Sequence, residues 1–264
     1  MYQVDAAARD AFARDGFVVL KSAMDPDTLA MLREECDGFV ARTDRWLEAR
    51  GTDTHSITHR GRRYFIANRH RESARMPGFL FGDLMRTLST AFLGPTVYLF
   101  HEQWVVKGAE RGMRFAWHQD SGYVRFRDPD NSHAPYLTCW CALDDMTREN
   151  GTISVLSEER VGSRNTVFPH RREAGTNDLV GYDGDEPGQL IEAPAGSVVV
   201  FWSTTLHKSG ANATDRPRRA YLPQYSTEPI RRADGSVWSL AIPFVRDGEV
   251  VYEQGGEATV GTLR

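Results

Sequence analysis

From residue 96 onward the chain consists of short β-rich runs separated by turn signals, and this pattern constrains the fold more than any other feature. Asn150-Gly151 and Pro194-Ala195-Gly196 are typical of the turns between such runs. Many short strands at regular spacing predict an antiparallel barrel or sandwich. The predicted strands cover residues 97–100, 104–106, 136–143, 152–156, 197–202 and 220–225.

The first third of the chain carries mostly helical signals. Apolar residues at helical spacing predict helices over residues 6–14, 26 to about 47 and 81–93, and an apolar run predicts a strand over residues 17–20. Asp25 is a capping residue before Pro26, which suits the first position of a helix. We expect a single domain over residues 1–264, with a helical N-terminal part over about 1–95, a β core over about 96–228 and a C-terminal extension over 229–264.

Composition and charge exclude several classes of function. The formal net charge is −4 and the pI is near 6.1, so no global basic field attracts nucleic acid. The arginine cluster at 60–63 is local and is more typical of solvated loop charge. No apolar stretch approaches the ~20 residues that a membrane-spanning helix needs. The N-terminus lacks the basic and apolar regions of a signal peptide. We expect a cytoplasmic protein that binds neither nucleic acid nor membrane, and the sequence leaves its oligomeric state open.

The three cysteines agree with a reducing compartment. Cys36, Cys139 and Cys141 form neither an even set nor a Cys-x-x-Cys pair. Cys139 and Cys141 lie two residues apart within an apolar run, and this spacing favours a buried strand over a metal site.

The segment 117–120, Trp-His-Gln-Asp, places a histidine and an aspartate two residues apart. In an extended strand such residues point to one face, so His118 and Asp120 are expected to project together. An imidazole and a carboxylate are two of the three ligands of the facial triad that binds non-haem iron(II). By itself the pair is weak evidence, because a chain with eight histidines will often contain it by chance. The third ligand has to come from a remote strand, and His207, just after the apolar run 198–202, is the best candidate.

Arg218 follows His207 at the start of the next predicted strand. A guanidinium at this place can hold the distal carboxylate of an oxo-diacid through paired, charge-assisted hydrogen bonds. Ser209, two residues after the histidine, could add a hydroxyl donor. The adjacent Arg219 stays open as the alternative anchor, because a one-residue slip in register exchanges the two faces of a strand.

Taken together, these residues resemble the phytanoyl-CoA dioxygenase-like family of iron(II)- and 2-oxoglutarate-dependent oxygenases. The resemblance covers roughly residues 10–228 and keeps the family's order of motifs, and that ordered set is specific although each motif alone is not. The motifs are Arg-Asp-Gly-Phe-Val-Val at 14–19, His-x-Asp at 118–120, Trp-Cys-Ala-Leu-Asp-Asp at 140–145, Glu-Asn-Gly at 149–151, His-Lys-Ser-Gly at 207–210 and Pro-Arg-Arg-Ala at 217–220.

The resemblance implies a fold, a metal site and a cosubstrate. The fold is mainly β, a double-stranded β-helix (a jelly-roll or cupin-like fold) with N-terminal and flanking α-helices. His118, Asp120 and His207 are the implied catalytic metal ligands, and the implied cofactors are Fe(II), 2-oxoglutarate as cosubstrate and O2. The resemblance implies that Arg218 binds the 5-carboxylate of 2-oxoglutarate, with Ser209 beside it. Lys107 and Trp140 match positions that face the cosubstrate in some members, and Gln103 lies on the strand that ends at Lys107.

The implied reaction is hydroxylation of an unactivated C–H bond in a small molecule, with release of succinate and CO2. Asp120 bears on this outcome, because related halogenases have a small residue at that position and bind chloride there. We therefore expect no chlorination. An acyl-CoA, an amino-acid derivative and a natural-product intermediate all stay open as substrates.

Several residues near the motifs could act in the site or could serve only the structure, as part of the core or of the solvated surface. The aromatic residues Tyr123, Phe115, Phe126 and Phe201 could line a pocket or simply fill the core. The basic residues around 125–133 and 169–172 could meet an anionic substrate, although such runs are more typical of a solvated surface. The long connection over residues 157–190 has few apolar runs, which is typical of a functional segment such as a lid.

Two further classes of function remain open. A zinc hydrolase could use two histidines, an aspartate and a bound water, but it would have no need for Arg218. A non-catalytic cupin-like binding module would tolerate the loss of Asp120.

Overall fold

Two antiparallel β-sheets face each other across an apolar core, and helices cover the outer face of the larger sheet. The structure is a computed structural model that describes residues 2–110 and 112–254. The helices are α1 (Ala6–Asp15), α2 (Pro26–Glu48), a 3₁₀ helix (His70–Glu72), α3 (Met76–Leu80), α4 (Asp83–Leu93), α5 (Asp120–Arg127) and α6 (Glu158–Val161). The strands are β1 (Phe17–Leu20), β2 (Thr54–His55), β3 (Thr58–His59), β4 (Arg63–Ala67), β5 (Val97–Lys107), β6 (Phe115–His118), β7 (Leu137–Ala142), β8 (Ile153–Val155), β9 (Arg171–Arg172), β10 (Leu179–Val180), β11 (Gln189–Leu190), β12 (Val198–Trp202), β13 (His207–Ser209), β14 (Arg218–Ser226), β15 (Ile242–Arg246) and β16 (Glu249–Val250).

The strand order identifies the topology. The larger sheet runs β1-β12-β7-β14-β5-β4-β3-β2, with β15 also paired to β5 and β16 to β15. The smaller sheet runs β11-β8-β13-β6, and β9 pairs with β10 separately. Because β5, β7, β12 and β14 lie in one sheet and β6, β8, β11 and β13 in the other, the chain crosses repeatedly between the sheets. This arrangement is the predicted double-stranded β-helix.

Strict alternation along the strands sorts side chains between two cores. On β7, Trp140 faces the core between the sheets, whereas Cys139 and Cys141 face the helices. On β14, Leu222 faces inward and Tyr221 faces the helices. The alternation follows from the two-residue period of a β-strand. The cysteine pair therefore lies in a buried strand, as its spacing predicted.

Helix α2 packs on the outer face of the larger sheet. The Asp25 side chain accepts a hydrogen bond from the backbone N–H of Thr28 at 2.8 Å, and Pro26 occupies the first helical position. The ring of Phe39 stacks on that of Trp104 with centroids 5.8 Å apart. Burying each such large apolar side chain stabilises the fold by about 1.5–3 kcal/mol. The buried residues recur at helical spacing and are Leu32, Cys36, Phe39 and Leu47.

Most predicted elements are confirmed within a few residues, and the differences concern strands that were merged or not predicted and one turn. The two strands predicted over 97–100 and 104–106 form the single strand β5. The part expected to be helical also contributes β2, β3 and β4, and the expected C-terminal extension contributes β15, which pairs with β5. Residues 255–264 of that extension lie outside the described residues.

None of the helices in the described ranges is both long and apolar enough to cross a membrane.

Candidate metal centre

Three side chains, two of them close in sequence and one remote, converge at one end of the barrel. His118 ends β6, Asp120 begins α5, and His207 begins β13, where it lies opposite His118 in the antiparallel pairing. One ligand atom of each residue lies within 4.8 Å of the others. The Nε2 atoms of His118 and His207 lie 3.8 Å and 3.7 Å from Oδ1 of Asp120. All three side chains are buried.

The route by which Asp120 reaches this point differs from the prediction. His118 and Asp120 project together as expected, but Asp120 is the first residue of α5 and not part of the strand. The backbone turns into the helix at Gln119, whose buried side-chain amide donates hydrogen bonds to the carbonyls of Thr166 and Thr204. These bonds fix the turn, so a strand-to-helix junction sets the position of the carboxylate.

Both imidazoles are oriented by backbone carbonyls. His118 donates from Nδ1 to the carbonyl of Ala116 at 2.8 Å, and His207 donates from Nδ1 to the carbonyl of Thr205 at 3.1 Å. Each bond leaves the Nε2 lone pair directed at the site, as in metal-binding histidines generally. Burial, and next the neighbouring His207, hold the pKa of His118 well below its usual value. The ring is therefore neutral near pH 7 and available as a ligand.

A pair of polar side chains holds the carboxylate of Asp120. Its Oδ2 accepts a hydrogen bond from Oγ1 of Thr138 at 2.7 Å and another from Nε2 of Gln224 at 2.8 Å. Oδ1 is thereby turned towards the two histidines. Sequence reasoning missed both partners, although each is a polar residue within an apolar strand. They lie opposite each other on β7 and β14.

The donor set fits iron(II). Two imidazole nitrogens and one carboxylate oxygen on one side of the site match the facial triad, which leaves three positions of an octahedron open. The hydrogen bonds to the outer atoms of all three side chains are the kind of support that such ligands have in metal sites.

Arg218 brings an incompletely bonded guanidinium into the interior. The residue is only 1% exposed, on the inner face of β14. Nη2 donates to the carbonyl of Gly151 at 3.0 Å, while Nε and Nη1 have no hydrogen-bond partner among the described residues. The guanidinium carbon lies 5.6 Å from the ring centroid of Trp140. Burial lowers the pKa of Arg218 to about 10, so it is still charged at neutral pH.

Arg219 faces the opposite side of the sheet. Its guanidinium binds the carboxylate of Asp144 at 2.7 Å and that of Asp37 at 3.0 Å. These partners neutralise it outside the barrel. Of the two candidate anchors, Arg218 is therefore the one whose side chain is free to bind an anion in the interior.

Two more buried basic residues lie beside Arg218. Lys107 pairs in register with Arg218 on one side and with Arg63 on the other, across β14, β5 and β4. Arg63 is bound to Asp178 at 2.8 Å, and Lys107 donates to the carbonyl of Gly210. Burial, and next the charges of Arg218 and Arg63, lower the pKa of Lys107 well below its usual value. Interpreting the arginine cluster at 60–63 as solvated loop charge was wrong for Arg63, which is fully buried.

Ser209 and Gln103, the other predicted cosubstrate contacts, lie in different parts of the barrel. Ser209 is buried on β13, opposite Phe115 of β6. Gln103 lies on the same strand as Lys107 but four residues away, so their Cα atoms are about 13 Å apart. Gln103 accordingly lines the cavity beside the triad.

A cavity of about 1050 Å³ opens beside His118 and Asp120. Three of the four aromatic residues singled out from the sequence, Tyr123, Phe115 and Phe126, line it. The cavity has room for a substrate of substantial size next to the triad.

The long segment over residues 157–190 forms part of this cavity's wall. Arg172, Asn177 and Leu179 line it, and the backbone N–H of Leu179 donates to the hydroxyl of Tyr123 at 3.3 Å. Phe201, the fourth predicted aromatic residue, packs in the core between the sheets.

Comparisons with known proteins agree with this site. The family model described as phytanoyl-CoA dioxygenase (PhyH) matches residues 12–220. A probable phytanoyl-CoA dioxygenase of Caenorhabditis elegans is 31% identical over 127 residues, which cover 45% of this chain and 38% of that protein. Ectoine dioxygenase of Nocardia farcinica is 25% identical over 234 residues, which cover 82% of this chain and 76% of that protein. The chain thus matches about two-fifths of the length of the first relative and three-quarters of the second.

A solved structure shares the fold. EvdO2 from Micromonospora carbonacea var. aurantiaca, complexed with 2-oxoglutarate, superposes with a TM-score of 0.66 and 24% identity over 85% of this chain and 91% of that one. The family model covers most of the chain, including all three converging side chains. The chain therefore belongs to the phytanoyl-CoA dioxygenase family, whose members are iron(II)- and 2-oxoglutarate-dependent oxygenases.

Proposed function

We propose that this oxygenase hydroxylates an unactivated C–H bond of a small organic molecule, with release of succinate and CO2. His118, Asp120 and His207 bind the iron, and Arg218 anchors the distal carboxylate of 2-oxoglutarate. The ligands come from the smaller sheet and α5, and the anchor comes from the larger sheet. The proposal therefore treats the chain as one catalytic domain.

The observation that carries the proposal is the pairing of the triad with a buried, charged and incompletely bonded guanidinium in the same barrel. A buried cation without an acid partner is costly unless a ligand supplies the anion. The two free donors of Arg218, Nε and Nη1, suit a bidentate carboxylate. The related EvdO2 structure contains 2-oxoglutarate, and a structure of EctD from S. alaskensis contains 2-oxoglutarate and 5-hydroxyectoine. Both support the same cosubstrate here.

We assign roles to the other predicted cosubstrate contacts from where they lie relative to Arg218 and the triad. Trp140 packs against the Arg218 guanidinium and keeps it in place. Lys107 adds a donor beside it, and Ser209 lies on the strand that begins with His207. We assign Gln103 to the part of the site nearer the triad.

The protein's part in the reaction is binding, orientation and protection. When bound, iron(II) and 2-oxoglutarate supply the oxidation by O2. His118 and His207, each oriented by a backbone carbonyl, would offer Nε2 to the metal, and Asp120 would offer a carboxylate oxygen. Arg218 neutralises the far end of the cosubstrate. Burial of these groups keeps bulk water from the reacting centre.

A zinc hydrolase and a passive binding module are the rival functions. Neither has a use for the buried guanidinium of Arg218 next to a triad that leaves three metal positions open. The family's chemistry also disfavours both.

Anaerobic addition of iron(II) and 2-oxoglutarate to the apoprotein should produce the visible metal-to-ligand charge-transfer band. Asp120→Ala should remove most of the band and most of the hydroxylation, because the metal loses its anionic ligand. Asp130→Ala, which changes an exposed aspartate, is the control and should behave as the unmodified protein. A folded, iron-loaded protein without the band would contradict the oxygenase function.

Replacing Arg218 by Ala should raise the KM for 2-oxoglutarate by about tenfold to a hundredfold, since a charge-assisted pair of hydrogen bonds is lost. Arg219→Ala is the matched control, because its guanidinium binds Asp144 and Asp37 on the other side of the sheet. Steady-state succinate formation at varied 2-oxoglutarate measures both. Equal KM values in the Arg218 variant and the unmodified protein would show that the anchor is elsewhere.

Gln224→Leu should weaken iron binding roughly 10–100-fold, because Oδ2 of Asp120 loses a hydrogen bond that orients the carboxylate. Titration of the apoprotein with iron(II) at saturating 2-oxoglutarate measures the affinity. Gln189→Leu, at an exposed glutamine of β11, is the control. Unchanged iron affinity in Gln224→Leu would mean that Thr138 alone orients Asp120.

A further inference from the structure

The cavity beside the triad is strongly basic although the chain as a whole is acidic. Its lining contains six arginines but only two carboxylates, whereas the net charge of the chain is −4. One of the carboxylates is Asp120, which belongs to the metal site, and the other, Glu72, pairs with Arg69. A concave surface lined by one sign of charge concentrates ligands of the opposite sign. The lining arginines are Arg42, Arg50, Arg69, Arg71, Arg127 and Arg172.

Arg127 and Arg172 are the arginines that line the cavity from α5 and from the segment 157–190. Their guanidinium carbons lie 5.9 Å from the ring centroid of Trp238 and 5.2 Å from that of Phe126, respectively. Neither forms a salt bridge with a carboxylate among the described residues, and Arg172 makes only a long hydrogen bond of 3.5 Å to the carbonyl of Asn177. Both cations are thus held over aromatic rings with donors left for a ligand.

The neighbouring arginines in the sequence have different surroundings. All four arginines are exposed, but Arg127 and Arg172 line the cavity, whereas Arg125 and Arg171 do not. Arg171 pairs with Asp183 at 2.7 Å. The sequence pattern favoured a solvated surface for both basic runs, and these four arginines are exposed as expected. In each run one of the two also lines the cavity.

The length of helix α5 sets the distance between the metal ligand Asp120 and Arg127. Helix α5 begins at Asp120 and ends at Arg127, so the Cα atoms of these two residues are about 10 Å apart along the axis. Tyr123 and Phe126 line the cavity from positions between them. Further apolar wall comes from a cluster that includes Phe100, Tyr136 and Trp238. The path from the metal to the arginines is therefore largely aromatic.

We propose that the substrate is an amphipathic organic anion, with an apolar or aromatic body in the cavity and an acid group bound by Arg127 and Arg172. The acid group lies on the order of 10 Å from the carbon that is oxidised, one length of α5. The position of that carbon rests on the proposed function, whereas binding of the anion does not. A carboxylate, a sulfonate and a phosphate ester share the required chemistry.

A pair of dyes with nearly the same aromatic body tests the inference without iron. The dye 8-anilino-1-naphthalenesulfonate carries a sulfonate, and N-phenyl-1-naphthylamine lacks it. Fluorescence titration of the apoprotein should show tighter binding of the sulfonate by about tenfold, with the preference falling as salt is added. Arg127→Ala and Arg172→Ala should each weaken binding of the sulfonate roughly three- to tenfold and leave binding of the neutral dye unchanged.

Arg125→Ala and Arg171→Ala are the matched controls and should change neither titration. Displacement of the bound sulfonate by 4-phenylbutyrate or by 2-phenylethyl phosphate would support the inference and identify the preferred acid group. Equal affinity for the two dyes, equal losses in the control variants, or equal displacement by neutral 4-phenylbutanamide would overturn it.

The outcome is independent of the charge-transfer experiment. A missing charge-transfer band with normal dye discrimination would remove the oxygenase function and leave the anion site. A normal charge-transfer band without dye discrimination would support the oxygenase function and remove the anion site.

Discussion

The antiparallel pairing of β13 with β6 is the constraint on which the site depends. It sets His207 opposite His118, although the two residues are far apart in the chain. The smaller sheet thereby supplies two of the three converging ligands, and the turn into α5 adds Asp120. The larger sheet contributes the hydrogen bonds of Thr138 and Gln224 that hold the carboxylate. A slip of one residue in this pairing would turn one histidine out of the site.

Basic side chains buried on the inner face of the larger sheet are the second constraint on the site, because they call for a bound anion. Arg63, Lys107 and Arg218 lie side by side on three neighbouring strands, and of these three Arg63 is the one that forms an ion pair with Asp178 among the described residues. Burying unpaired cations costs several kcal/mol per charge. A dianionic cosubstrate whose distal carboxylate reaches Arg218 would offset that cost. The same barrel thus explains both the metal ligands and the buried cations.

Sequence patterns predicted the parts of the fold that follow from simple periodicity. The buried strands β7, β12 and β14 and the capped helix α2 alternate or repeat their apolar residues, and their bounds came within a few residues. The strands β2 and β3 were missed because each is two residues long and mostly exposed or half-buried. The start of α5 was missed because its turn depends on Gln119, whose partners are remote in sequence. Arg63 was misinterpreted for a similar reason, since its partner Asp178 is remote.

In the site, too, local sequence patterns predicted some features and contacts between remote residues determined others. The ordered motifs predicted the converging residues, but only the fold shows which of two adjacent arginines faces inward. A crystal structure of the protein grown anaerobically with iron(II) and 2-oxoglutarate would show directly whether these residues bind both. The crystals should contain one iron bound by Nε2 of His118, Oδ1 of Asp120 and Nε2 of His207, with the distal carboxylate of 2-oxoglutarate on Nε and Nη1 of Arg218. Iron at another position, or a cosubstrate anchored away from Arg218, would contradict this assignment.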